Sequence, residues 1–171
     1  MSEAGTGEGA MEAVREELRR RLEGKRFGVV GIGNVVRGDD GAGCLLVERL
    51  QGCLDVPIVD CGEVPENYGG WVERRDLEAV VYVDAVDFGG EPGEVRIVPL
   101  ASLMESATNT HNLSLHYVIR FLEEEWDGDA ILVGIQPTTW KFGDPLCDAV
   151  DEGVSRLAAI LVEIGAAPAE G

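Results

Sequence analysis

FGVVGIGNVVRGDDGAG, Phe27 to Gly43, opens with a continuous apolar run, Phe27 to Ile32, that stops at Gly33-Asn34 and turns helical from Asp40 onward. An uninterrupted apolar run ending in a turn signal marks a strand buried on both faces, as in a parallel sheet; a strand with one wet face would alternate. From Asp40 the chain reads as a helix with Leu45, Leu46 and Leu50 on one side and Gly52 past its end. The alternation repeats downstream: Val56 to Asp60 reads as a second strand, Ala79 to Asp84 (AVVYVD) as a third, and Glu94 to Pro99 (EVRIVP) as a shorter one after the Gly89-Gly90 turn. Leu115, Val118 and Leu122 mark a helix over His111 to Glu125, Ala130 to Ile135 (AILVGI) is a further apolar strand, and Val150, Val154, Leu157 and Leu161 mark a long amphipathic helix over Asp148 to Ile164. Upstream, Met11, Val14, Leu18 and Leu22 recur at helical spacing before Gly24, which predicts another amphipathic helix.

Strands alternating with helices predict an α/β fold: a mainly parallel sheet covered on both faces, because right-handed crossovers place helices there. The hairpin-like link between Asp84 and Glu94 suggests one antiparallel strand. The 171 residues fit a single domain, 1–171, with an N-terminal extension over 1–24 that carries the first helix and a mobile tail over 165–171. No apolar run approaches the roughly 20 residues of a membrane-spanning helix. The opening MSEAGTGEGAMEAV lacks the basic start and apolar stretch of a secretory leader, so a cytoplasmic location without a membrane partner is expected. A net charge of −18 repels nucleic-acid phosphates, which leaves neutral, basic or metallic partners. Cys44, Cys53, Cys61 and Cys147 show no CxxC spacing and read as ordinary, mostly buried thiols. Arg19, Arg20 and Arg21 read as a solvated helix face.

In open α/β sheets the ligand crevice lies beyond the carboxyl ends of the strands. Asp39 and Asp40 follow the first strand, Asp60 ends the second, Asp84 and Asp87 follow the third, His111 begins a helix, and Gln136-Pro137 ends the last strand. Carboxylates from three strands would thus converge at one edge, and their mutual repulsion asks for a cation or a shared proton. Two carboxylates and an imidazole suit nickel, zinc or a similar borderline divalent ion, with coordination positions left open for substrate or water. The structural alternative is that Asp40 favours a helix N-terminus, Asp84 caps a turn and His111 caps a helix or lies in the core. The loop from Gly31 to Gly38 is spaced GxGxxxxG and lacks a following Lys-Ser/Thr pair, which argues against a phosphate loop. With no GxSxG elbow, HExxH helix or supported Cys-His pair, a hydrolase on this frame would use water activated with the help of a metal. Gly33, Gly38 and Gly41 either let the backbone approach a substrate or simply allow the turn.

These residues resemble the maturation proteases of nickel hydrogenases. GIGNVVRGDDGAG (Gly31 to Gly43) looks like the family's opening signature, followed in order by VDCGEVPENY (Val59 to Tyr68), VYVDAVDFGGEPGEVRIVP (Val81 to Pro99), THNLSLHYVI (Thr110 to Ile119) and GIQP (Gly134 to Pro137). The resemblance implies a three-layer α/β/α sandwich with a five-stranded twisted sheet. It also implies an aspartic-type or metal-assisted endopeptidase that cuts the C-terminal extension of a [NiFe] hydrogenase large-subunit precursor after nickel insertion. Asp40, Asp84 and His111 match the family's metal-binding positions, the metal being nickel carried by the precursor, with zinc or cadmium able to take its place. Asp60 matches an acidic position expected to serve catalysis or substrate fit. The precursor is the implied partner, and the enzyme is expected to be a monomer or weak oligomer. Two rival readings keep the same ligands: a nickel-dependent chaperone or adaptor that binds the precursor uncut, and a generic zinc peptidase or amidase. The helix before Gly24 departs from the family pattern and reads as a partner-binding arm or a solubility feature.

Overall fold

The computed structural model describes residues 4–105, 115, 119–120 and 124–166. Its elements, in chain order, are α1 (Ala4–Leu22), β1 (Phe27–Gly31), α2 (Ala42–Leu50), β2 (Ile58–Asp60), α3 (Gly69–Glu73), β3 (Ala79–Ala85), β4 (Val95–Ile97), α4 (Leu100–Glu105), β5 (Asp129–Ile135) and α5 (Asp148–Ala166). Short 3-10 turns, Gly38–Gly41 and Pro65–Tyr68, precede α2 and α3. The strands form one sheet in the order β2-β1-β3-β5-β4. The first four are parallel, and β4 runs antiparallel to β5 with Val95 opposite Ile135 and Ile97 opposite Val133.

Every residue of β1 and of β3 is buried, which explains the unbroken apolar runs. Successive side chains point to opposite faces. Val29, Val81, Val83, Ile131 and Val133 pack on one side with Leu46 and Leu50 of α2 and Val154, Leu157 and Leu161 of α5. Val30, Val80, Tyr82 and Leu132 pack on the other with Trp71 and Val72 of α3 and with Leu115 and Ile119. The result is the expected three-layer α/β/α sandwich with a five-stranded, mostly parallel sheet.

The first helix packs against the core of the domain. Val14, Leu18 and Leu22 belong to the same buried cluster as the sheet and α5. Arg19 pairs with Glu163 of α5 at 2.6 Å, and Arg15 pairs with the same carboxylate. Arg21, expected on a solvated face, instead donates to both carboxylate oxygens of Asp129 at the start of β5, so the arginine run is only partly solvated. At the other end α5 continues to Ala166, past Ile164, and residues 167–171 lie outside the described residues.

Candidate active site

The chain leaves β1 for β2 on one side and then crosses to β3 on the other, so loops diverge at the carboxyl ends of β1 and β3 and leave a crevice there. Two glycines make the local geometry possible. Gly43 in the first turn of α2 lies so close to the strand ends that a Cβ would stand 2.3 Å from the carbonyl oxygens of both Ile32 and Val83. Gly33 adopts φ of 145°, and a Cβ there would meet the Asp40 carbonyl oxygen at 1.9 Å. At Gly38 and Gly41 the same space is taken by Thr139 and Val35. These three glycines therefore serve the turn rather than a close approach to substrate.

The neighbouring aspartates of this turn diverge. Asp39 is fully buried and faces inward: its Oδ2 accepts from the backbone N–H of Thr138 (2.7 Å) and Thr139 (3.1 Å), and its Oδ1 from that of Cys147 (2.7 Å). It is a tether between the loop after β1 and the loop after β5. Asp40, 6 % exposed, lies in the 3-10 turn Gly38–Gly41 after β1, and Asp84, fully buried, occupies the penultimate position of β3. Asp60 closes β2 beside Gly31 and is exposed. Its Oδ1 accepts from the Gly62 N–H at 2.9 Å and from the Cys44 thiol at 3.1 Å.

Cys44, read from sequence as an ordinary thiol, lies within the electrostatic reach of these carboxylates. Burial first, then the hydrogen bond to Asp60, then the charges of Asp60, Asp84 and Asp40 raise its pKa well above the ordinary thiol range. The thiol therefore stays protonated and serves as a donor to Asp60. Cys61 is likewise buried, its thiol pushed up to about 12 chiefly by burial, whereas Cys53 is exposed and Cys147 half-buried, so the cysteines are less uniformly buried than expected.

Asp87 and Gln136 turn out to shape a loop. Gln136 accepts from the N–H groups of Phe88 (2.9 Å) and Gly90 (3.0 Å) and donates to Asp87 at 3.0 Å. That bond, with a second from the Gly89 N–H, lowers the Asp87 pKa below the usual carboxylate range. His111 lies outside the described residues. Leu115, four positions on, is buried with Val80 and Tyr82 on the sheet face to which strand alternation assigns Asp84. Among the described residues no three His, Cys, Asp or Glu side chains group closely enough to hold a metal. The acids that follow β1, β2 and β3 are two buried carboxylates, Asp40 and Asp84, and the exposed Asp60, oxygen donors of the kind a divalent cation takes. A cleft of about 480 Å³ elsewhere, lined by Met11, Pro92, Glu94, Glu152 and Arg156, includes none of these acids.

The profile of the hydrogenase maturation protease family matches residues 44–164. The hydrogenase 3 maturation protease of Escherichia coli K12 is 36 % identical over 132 residues, covering 74 % of this chain and 82 % of that protein. The chain belongs to the hydrogenase maturation protease family. A crystal structure of the [NiFe] hydrogenase maturation protease HycI from Thermococcus kodakarensis superposes on this maturation protease with a TM-score of 0.79 at 38 % identity, covering 86 % of this chain and 97 % of that one. The solution structure of the endopeptidase HycI from E. coli gives 0.72 at 30 % identity over 80 % of this chain and 89 % of that one. As a maturation protease the chain is a hydrolase and an endopeptidase. Asp40 precedes the residues that the family profile matches. No helix among the described residues is long and apolar enough to cross a membrane.

Proposed function

We propose that this maturation protease removes the C-terminal extension of a [NiFe] hydrogenase large-subunit precursor once nickel has been inserted. Asp40, Asp84 and His111 would read the nickel that the precursor carries, a site zinc or cadmium could also fill, and Asp60 would act on the scissile peptide. The observation that carries this reading is the placement of two buried carboxylates, Asp40 after β1 and Asp84 near the end of β3, with Asp60 at the end of β2, around the sheet's topological switch point. Two carboxylates in a largely buried site cost free energy that an incoming dication offsets, which makes substrate binding conditional on the metal. Asp60, the acid open to solvent, can take a proton from water as its oxygen adds to the peptide carbonyl carbon. The carbon–nitrogen bond then breaks and the leaving amine receives the proton. The bonds from Gly62 and Cys44 fix one oxygen of that carboxylate and so set its orientation.

The test mixes the purified protein with a [NiFe] hydrogenase large-subunit precursor, with and without prior nickel loading, and weighs the precursor by intact-protein mass spectrometry. Loss of a C-terminal fragment only from the nickel-loaded sample is expected, and His111→Ala should leave that precursor whole. Nickel-dependent binding without cleavage would replace the protease with an adaptor. Cleavage of short peptides without nickel would replace it with a resident-metal peptidase.

A further inference from the structure

The large apolar side chains exposed among the described residues are Val35, Val36, Val64, Trp140 and Phe142, and all of them lie in loops that leave the carboxyl ends of β1, β2 and β5. Elsewhere the described surface keeps such side chains covered. Four of the five form one strip, because the two loops that carry them are laced together. The Gly143 N–H donates to the Val36 carbonyl at 2.8 Å, that of Gly38 to Asp144 at 3.1 Å and that of Asp39 to Thr139 at 3.0 Å. Phe142 is 73 % exposed and Val35 68 %, far more than a side chain kept for packing. Arg37 and Lys141 stand in the same strip, exposed and without an ion pair or side-chain hydrogen bond among the described residues.

We propose that this strip is the docking surface for the precursor segment next to the scissile bond: an extended apolar stretch whose side chains cover Trp140, Phe142 and Val36, and whose backbone carbonyl or carboxylate oxygens accept from Arg37 and Lys141. The inference rests on the endopeptidase reading and names what that site grips. Three features select the occupant. The strip is continuous with the candidate site, since Asp40 follows it in the chain and Asp39 anchors the Trp140 loop through three hydrogen bonds, so a peptide laid along it runs on toward the carboxylates. Contiguous apolar side chains rimmed by polar groups mark protein contacts, and aromatic and arginine side chains dominate the energy of such contacts. A second copy of this chain is a poor occupant because each copy carries a net charge of −18 and the two repel.

Trp140→Ser with Phe142→Ser tests the proposal, and Phe142→Ser alone serves as the milder variant. Cleavage and binding of the nickel-loaded precursor are measured over a range of its concentrations, alongside thermal melting of each variant. The double variant should raise KM by about tenfold to a hundredfold with kcat retained, because the lost contacts are made equally in the ground and transition states. Arg37→Gln with Lys141→Gln should raise KM less. If the wild type cuts the precursor and the double variant, still folded, shows the same KM, docking is overturned and the protease reading stands. If the wild type binds the precursor without cutting it and the double variant loses binding, docking stands and the protease reading falls. If the wild type does neither, both fall.

Discussion

Asp39 accepts three backbone N–H groups, whereas its neighbour Asp40 is the proposed metal ligand; one residue of register separates the tether from the candidate site residue. Replacing Asp39 with Ala leaves three buried donors without their acceptor, and each such orphan costs about 1–3 kcal/mol before relaxation. Asp39→Ala is therefore expected to lower stability by about 2–4 kcal/mol and to loosen the strip that carries Trp140 and Phe142. Asp84→Asn keeps the shape of a fully buried side chain while removing its charge, so precursor processing should fall steeply with a melting temperature changed by only a few degrees. Melting curves and processing rates measured on both variants separate the roles. A large loss of stability in Asp84→Asn with processing retained would reassign Asp84 to the fold.

The strands were the most legible elements, because β1, β3 and β5 are buried on both faces and so appear as unbroken apolar runs bounded by turns. The antiparallel β4 followed from the short glycine-rich link before it. The helix from Asp40 was legible in type, but its first turn is the 3-10 segment Gly38–Gly41, which turns Asp39 inward, and periodicity does not resolve a single turn. Pro65–Tyr68 and the five-residue α3 went unread, since so short a helix shows no full period. Of the candidate site, Asp40, Asp60 and Asp84 were findable by asking which acids follow strands. Cys44 was not, because its role depends on the crossing of α2 over the strand ends that Gly43 permits. The first helix was seen, yet its attachment was not, since an amphipathic stripe says that a face is buried without saying against what. Leu18, fully buried among sheet and α5 side chains, tests that attachment: Leu18→Ala should cost about 2–5 kcal/mol by chemical denaturation, against a loss below about 1 kcal/mol for a loosely held arm.

At the scale of the whole molecule, charge opposes the fold and selects the partner. Acidic side chains number 32 and basic ones 14, so after every possible pairing a large excess of carboxylates remains to repel one another across the surface. The ion pairs that fasten α1 and α5, Arg15–Glu163 and Arg19–Glu163, lie at partly exposed positions and are worth about 0–1 kcal/mol each. Salt acts on both. It weakens the pairs over contact distances, where screening is least effective, and it weakens the repulsion over longer ones, where a Debye length of about 8 Å at 0.15 M already suppresses most of it. The imbalance in number means that repulsion should prevail, so the melting temperature is expected to rise as sodium chloride goes from near zero to about 0.5 M. Calorimetry across that range decides the matter: a fall would show that the pairs holding α1 outweigh the excess charge. Precursor binding should respond differently, because the strip of Trp140, Phe142 and Val36 is apolar and its two cations make short-range contacts; its salt dependence should be shallow compared with that of the fold.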